Sequence, residues 1–486
     1  MTSTPIAGTA GAAATRRAVV LVTVGATFLA FLDTTIVNIA FPAIAADFVD
    51  VDRSALSWVL NAYNIVFAAF LLPAGRLGDV LGHRRLFTAG LLIFTVASGL
   101  CAAVSTPEML IAMRVVQAVG AALLMPTALA LLLSAFTRER RASAVALGGA
   151  AAGVAAALGP TLGGVLVDRG DWRLIFLVNV PLGLVLWVVA RRILQAPASR
   201  EAGLPDPWGT VLLATGVGLV ALGLVQGPEW GWQDGRVLGS LALACLLLPA
   251  GVMRSRGHPT PAFDLSLLRV RDVAVANTAT VVLAAAFFAK ILCDVLFLTS
   301  VWGYSVLEAG LAISPSPLIT ALTAGTAGWL AERFGQRNVA AAGALLYAAG
   351  NAWYAIAIPA EPAFVSHFLP ATLLTGAGIA AALPTLTSAA VTALPETRWG
   401  VASGANATAR QLGGVLGIAI LVAIVGDAAG REALGEFHAG WTFIALAAGL
   451  AAAVALALAG RESTRGTHRV RTHAHRGRSR IRRADR

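Results

Sequence analysis

The chain has 486 residues, 57% of them apolar and 13% charged, with a mean hydropathy of +0.77 and a formal net charge of +11. A soluble domain carries about 25% charged residues, so this composition excludes an ordinary soluble enzyme or binding module. Apolar runs long enough to cross a ~30 Å hydrocarbon core recur from end to end.

The predicted spans lie near 18–41, 55–74, 86–104, 109–133, 143–166, 174–194, 209–226, 237–253, 273–299, 308–331, 339–358, 364–387, 401–426 and 440–460. They read as helices, because continuous apolar runs joined by short loops lack the weak alternation of barrel strands. The first run is too long for the apolar core of a leader peptide and contains Asp33, which predicts a retained helix. Cys101, Cys245 and Cys293 all fall inside spans and read as packing residues with no disulfide framework.

Of 36 basic residues, 18 lie in the N-terminus and even-numbered loops, 10 in the C-terminal tail and 5 in odd-numbered loops. That bias predicts a multi-pass cell-membrane protein with both termini cytoplasmic, and the arginine-for-lysine usage with high alanine and glycine content points to a bacterial inner membrane. It also accounts for the positive charge without nucleic acid as a partner. The arginine- and histidine-rich tail 461–486 reads as an anchor attracted to anionic lipid.

One stretch occurs twice. Gly75-Arg-Leu-Gly78-Asp79-Val80-Leu-Gly82-His-Arg84-Arg85 returns 253 residues later as Gly328-Trp-Leu-Ala-Glu332-Arg333-Phe-Gly335-Gln-Arg337-Asn338. Each copy joins two spans at the same place in its half, so the chain is two related halves, as in many secondary transporters. A bare duplication of six spans would return sooner; the excess matches two additional spans. The predicted organisation is therefore an all-α membrane protein of fourteen transmembrane helices. A tail (1–17) precedes a six-helix bundle (18–194), a linker with two additional helices (195–272), a second six-helix bundle (273–460) and a basic tail (461–486). The two charged loops read as unequal latches, with helices 1–6 and 9–14 as the moving units.

Lys290 is the only lysine, and Ile291 follows it, so no phosphate-binding G-x-x-x-x-G-K-[ST] loop exists. No loop could hold an ATPase domain, and no nucleophile elbow or H-E-x-x-H pair occurs. The sequence predicts a carrier and no enzyme, with no cofactor and no metal, driven by an ion gradient or running downhill.

Ionisable residues inside spans are costly and are functional candidates. Five stand out: Asp33, Arg114, Lys290, Asp294 and Arg410. Lys290 and Asp294, four apart, share one helix face, either as a salt bridge for insertion or as a coupling pair. Asp33 has no sequence-local partner and reads as a proton-exchanging carboxylate or as a hydrogen-bonding residue against Thr34, Thr35 or a neighbouring helix. Arg114 cannot lose its proton and must face a carboxylate, carbonyls or water; it either tunes a carboxylate or clamps the fold. Arg410 sits nearer the cytoplasmic end of its helix. Cargo-cavity candidates are Asn38, Asn61, Tyr63, Asn64, Gln117, Trp302, Asn406 and Arg410.

These residues resemble the major facilitator superfamily over the chain up to Gly460. The Gly75–Arg85 loop is similar to its signature between helices 2 and 3, with Val80 where a basic residue is usual; Arg333 supplies one in the second copy. The glycines permit a tight turn, and the resemblance implies that Asp79 sits against a helix N-terminus and the loop arginines. Arg114-Val-Val-Gln117-Ala118-Val-Gly120 is similar to the helix 4 motif linked to proton coupling. Gly159-Pro160-Thr-Leu-Gly163-Gly164 resembles the helix 5 antiporter motif. Leu32-Asp33-Thr34-Thr35 through Phe41-Pro42, with Trp302 through Gly310, resembles the fourteen-helix drug:proton antiporters. The resemblance implies a monomeric, proton-coupled exporter of amphipathic drugs, antibiotics or similar small molecules. A dedicated efflux carrier for an endogenous metabolite, or a non-transporting receptor on a carrier scaffold, are the alternative readings.

Overall fold

The computed structural model describes residues 7–48, 51, 53–137, 140–169, 171–194, 206–258, 261, 266–426 and 430–459. The basic tail 461–486 and most of the linker before residue 206 lie outside these residues. The first bundle contains α1 (Ala7–Asp47), α2 (Arg53–Leu81), α3 (His83–Ala103), α4 (Pro107–Ser134), α5 (Arg141–Arg169) and α6 (Leu174–Ile193). The inserted pair is α7 (Pro207–Trp230) and α8 (Gly235–Ser255). The second bundle contains α9 (Arg271–Ser300), α10 (Pro315–Phe334), α11 (Gln336–Ala357), α12 (Leu369–Thr392), α13 (Trp399–Val425) and α14 (Leu434–Ala455).

Thirteen of these helices are long and apolar enough to cross a membrane among the described residues. The exception falls on the predicted span 308–331. There the chain forms a capped turn, Val306–Ile313, and restarts as α10 at Pro315. Proline has no N–H to continue a helix but is well placed at a first turn. Pro315, Pro317, Thr320, Thr323 and Thr326 also dilute the apolarity of α10, which is packed against α5 and α12.

The halves repeat each other in packing as well as in sequence. A side chain at Gly90 or Gly120 would strike the opposite backbone where α3 meets α4. Gly343 and Gly378 make the same close approach between α11 and α12, and Gly343 lies 253 residues after Gly90. Gly82 and Gly335, with φ of 96° and 89°, start α3 and α11 at the equivalent turn, in the backbone region that glycine alone enters at no steric cost.

The interiors differ. The first half packs mainly aliphatic residues around Tyr63, Phe87 and Phe94, with Trp172 and Phe176 in a separate cluster, whereas the second gathers Phe297, Tyr354, Phe368, Phe437 and Trp441 in one aromatic cluster. The inserted α7 lies against both α2 and α13. Its Gln226 Oε1 accepts from Asn61 Nδ2 at 2.9 Å, and Trp230 meets Trp58. The inserted pair therefore flanks two helices that meet across the seam between halves.

Candidate functional site

Asp33 is completely buried on α1, and its hydrogen-bond partners come from neighbouring helices. Arg114 Nη1 on α4 donates to Asp33 Oδ2 at 2.7 Å. Gln117 Nε2 and Asn179 Nδ2 each donate to Asp33 Oδ1 at 2.8 Å. Gln117 stands one turn after Arg114, so one face of α4 delivers both donors. Arg114 also donates to the Val59 carbonyl at 3.2 Å and to Gln117 Oε1 at 2.7 Å, and its guanidinium lies 4.0 Å from the Tyr63 ring centroid. Tyr63 is thus a support under the guanidinium. Asn179 on α6, which also donates to Ser98 Oγ at 3.1 Å, has no signature in the sequence, because its partners are more than 80 residues away.

The second half carries its own buried acid. Lys290 Nζ pairs with Asp294 Oδ2 one turn along α9, and both are buried. Trp441 Nε1 on α14 donates to Asp294 Oδ1 at 3.0 Å. The Lys290 ammonium lies 4.5 Å from the Tyr354 ring centroid, a cation–π contact. Trp441 and Tyr354 were not predicted; each reads in sequence as one more apolar residue in a span.

The repeated loops form two latches across the seam. Asp79 accepts from the backbone N–H of Gly400 and of Val401, each at 2.9 Å, at the start of α13. A carboxylate there meets the unsatisfied N–H groups and the positive end of the helix dipole. Gly75 and Gly400 allow the two backbones to touch. The side-chain neighbour of Asp79 is the His83 imidazole, at 3.3 Å, and not the predicted loop arginines: Arg84 donates to the Arg191 carbonyl at 2.9 Å and Arg85 is exposed. Gly78 closes against His83 and Thr127.

In the second latch, Glu332 accepts from the Ser143 N–H at 3.2 Å near the start of α5, and Gly328 abuts the Ser143 backbone. Arg333 lies 5.2 Å from the Trp329 ring centroid, and Arg337 is exposed. Each latch therefore joins its own half to the first turn of a helix in the other. Arg141 strengthens the seam, with Nη2 donating to Glu396 Oε1 at 2.6 Å and its guanidinium 4.3 Å from the Trp399 ring centroid.

The predicted helix 5 motif is divided. Gly159 abuts Thr35 of α1, which also reaches the Ala155 carbonyl at 3.4 Å, whereas Gly164 has open space where a side chain would point. Gly163 is buried, and the Pro160 side chain lies outside the described residues.

Other predicted cavity residues scatter. Asn61 faces the inserted α7, where it donates to Gln226 Oε1. Trp302 packs against Phe297, Tyr304 and Phe368 with its indole N–H on the Pro359 carbonyl, which places it in the aromatic core. Asn38 is exposed and donates to the Thr34 carbonyl at 2.8 Å, and Asn64 is half-buried. Asn406 on α13 donates to Asn277 Oδ1 and Thr280 Oγ1 of α9, each at 3.0 Å, and accepts from Thr387 of α12. Arg410, one turn further, is half-buried and makes no hydrogen bond, ion pair or ring contact with the described residues. Among the described residues no cluster of metal-binding side chains occurs.

A family model described as Major Facilitator Superfamily matches residues 23–296 and 274–483. The cephamycin export protein CmcT of Amycolatopsis lactamdurans is 34% identical over 428 residues, covering 86% of this chain and 87% of its own. The multidrug resistance protein Stp of Mycobacterium tuberculosis is 32% identical, covering 82% of this chain and 74% of its own. Among solved structures, the human organic anion transporter MFSD10 superposes with a TM-score of 0.63 at 15% identity, over 90% of this chain and 99% of its own; that likeness concerns the fold alone. The antibiotic and multidrug export proteins among the relatives, together with a matching model over both halves, show that this chain belongs to the major facilitator superfamily, whose members are membrane transporters and not enzymes.

Proposed function

We propose that the protein is a proton-coupled exporter of amphipathic organic compounds, antibiotics among them, working by alternating access of its two halves. The observation that carries this reading is the buried Asp33 carboxylate, held by donors from α4 and α6. Arg114 stays charged at any physiological pH, so the exchangeable proton of this node belongs to Asp33. Protonating Asp33 strips the guanidinium of its counter-ion in a water-poor site, at a cost of several kcal/mol. Arg114 then turns toward Val59 and Gln117, which already accept from it, and the α1–α4–α6 packing loosens. Carboxylate protonation becomes helix movement by that route.

The latches supply the other half of the cycle. Both are engaged here, so this conformation is closed on the face that carries the basic loops, which charge bias assigns to the cytoplasm. Opening that face requires Asp79 and Glu332 to leave the helix ends they cap. The homologous export proteins support amphipathic cargo and outward direction. The protein then acts as a multi-pass monomer of the bacterial inner membrane.

The test is reconstitution in proteoliposomes with an imposed pH gradient and a panel of fluorescent amphiphiles. Gradient-dependent transport that a protonophore abolishes, and that Asp33→Asn removes while the protein stays folded, is the expected result. Transport indifferent to the protonophore, or intact in Asp33→Asn, overturns the reading.

A further inference from the structure

Five ionisable residues lie deep in the spans, and four of them neutralise one another in two pairs. Arg410 is the fifth, and no described carboxylate, carbonyl or aromatic ring receives its guanidinium. Its nitrogens are not among the buried polar atoms sealed without a partner, so the group opens onto accessible space. A guanidinium does not deprotonate there, and one left without an anion within a membrane span is costly.

The helix geometry says which space that is. The exposed apolar residues Leu416 and Ile420 mark the lipid side of α13; at 100° per residue, Arg410 lies roughly 80–120° away from them. It shares a side instead with Asn406, which bonds into α9 and α12. Gly400 against Gly75, and Gly404 against Leu71, set an antiparallel register between α13 and α2. Continued, that register brings Arg410 and Gln411 level with Asn64. Ten residues separate Arg410 from the latched Gly400, or roughly 15 Å along the helix, which is half the thickness of a hydrocarbon core. Arg410, the twelfth residue of the 27-residue α13, therefore stands near the middle of its helix and not toward the cytoplasmic end, beside the seam between halves, where carriers built from two repeats hold their cargo.

We propose that Arg410 is the anion-binding residue of the cargo cavity, and that the compounds carried bear a carboxylate or similar oxyanion on an amphipathic body. The inference rests on the exporter reading only in placing cargo between the halves. The planar fork of arginine suits a carboxylate with two parallel hydrogen bonds. Asn64, Gln411 and Asn406 supply uncharged polar neighbours, and the Asp33 node, already saturated by its own donors, does not compete. Bound cargo would supply the counter-ion that the fold leaves out, so the cavity is better satisfied loaded than empty.

The experiment is equilibrium binding to the purified full-length protein in detergent, with no gradient, so that it reads cargo charge independently of proton coupling. The probes are pyrenebutyrate, its methyl ester and a pyrenebutyl-trimethylammonium salt, which share one apolar body. Wild type should bind the carboxylate most tightly. Arg410→Gln should weaken that probe about thirtyfold or more, as losing one partner of a buried charge pair does, while the ester and ammonium probes keep their affinities. Arg410→Lys should retain part of the preference. An equal loss for all three probes, or carboxylate binding unchanged in Arg410→Gln, overturns the proposal. Should Arg410→Gln not fold, the wild-type ranking still decides: no preference for the carboxylate over its ester sinks the assignment.

Discussion

The two halves each bury an acid in their first core helix, and they neutralise it in opposite ways. In the first half Asp33 is held from other helices, by Arg114 and Gln117 on α4 and Asn179 on α6. In the second, Asp294 finds its cation one turn away on the same helix, with Trp441 as its only donor from another helix among the described residues. The consequence is mechanical. A change of charge on Asp33 alters what ties three helices together, whereas Lys290 and Asp294 satisfy each other one turn apart on α9. The first node ties three helices together, and the second is satisfied largely within one helix.

The largest effect should come from cutting the first node. Arg114→Ala leaves the Asp33 charge buried with only amide donors, and breaking such a pair costs about 3–5 kcal/mol. Thermal unfolding in detergent should show a much lower midpoint than for Asp33→Asn, which keeps the size and most of the hydrogen bonding. If the two variants melt alike, the charge pair does not bear on the α1–α4 contact.

For the second node, Lys290→Ala and Asp294→Ala should each destabilise. The double change to apolar residues of similar volume, Lys290→Met with Asp294→Leu, should recover about 1–4 kcal/mol relative to the singles. Recovery of both stability and transport marks the pair as an insertion device. Recovery of stability alone moves it into the coupling machinery and weakens the contrast drawn above.

The latches offer a gentler comparison. Asp79 accepts from two backbone N–H groups at its helix start and Glu332 from one. Asp79→Asn should therefore open the basic face more often than Glu332→Gln, with about 1 kcal/mol between them, the worth of a carboxylate at a helix end. Spin labels at the exposed Arg85 and Arg337, one in each half, would report the populations by pulsed distance measurement. Equal shifts would show that the two latches are matched.

The smallest effect belongs to an arginine–carboxylate pair in solvent. Asp234 caps α8 and holds Arg236 at 2.9 Å; those hydrogen bonds from the Arg236 side chain and backbone N–H pull its carboxyl down to about 2. Because the folded value is depressed, its stabilisation is present above the unfolded value of about 3.9 and is lost as pH falls through the folded one. Stability measured between pH 5 and 8 should carry no slope from this group, and Asp234→Ala should leave the shape of that profile unchanged. A slope that vanishes in the variant would contradict the assignment.

Much of this was legible in the chain. Fourteen apolar runs, the duplicated loop and the excess between its copies follow from spacing alone, and the runs convert into helices, with 308–331 broken before Pro315, because a bilayer lets no other open segment satisfy its backbone. The sequence also singled out Asp33, Arg114, Lys290, Asp294 and Arg410, since a charge inside an apolar run is conspicuous. Their partners were not legible. Lys290 and Asp294 could be paired on paper because four residues make one helical turn. Asp33 could not, because Arg114 and Asn179 reach it only after α4 and α6 pack against α1. For the same reason His83 replaced the loop arginines beside Asp79, Asn61 turned toward the inserted helix, and Trp302 joined the aromatic core. Sequence by itself determined which residues are costly to bury in a membrane. Tertiary structure alone decided which of those costs the fold cancels, and that Arg410 finds no partner among the described residues: hydrogen bonds and ion pairs act over about 3 Å, a distance that chain separation does not encode.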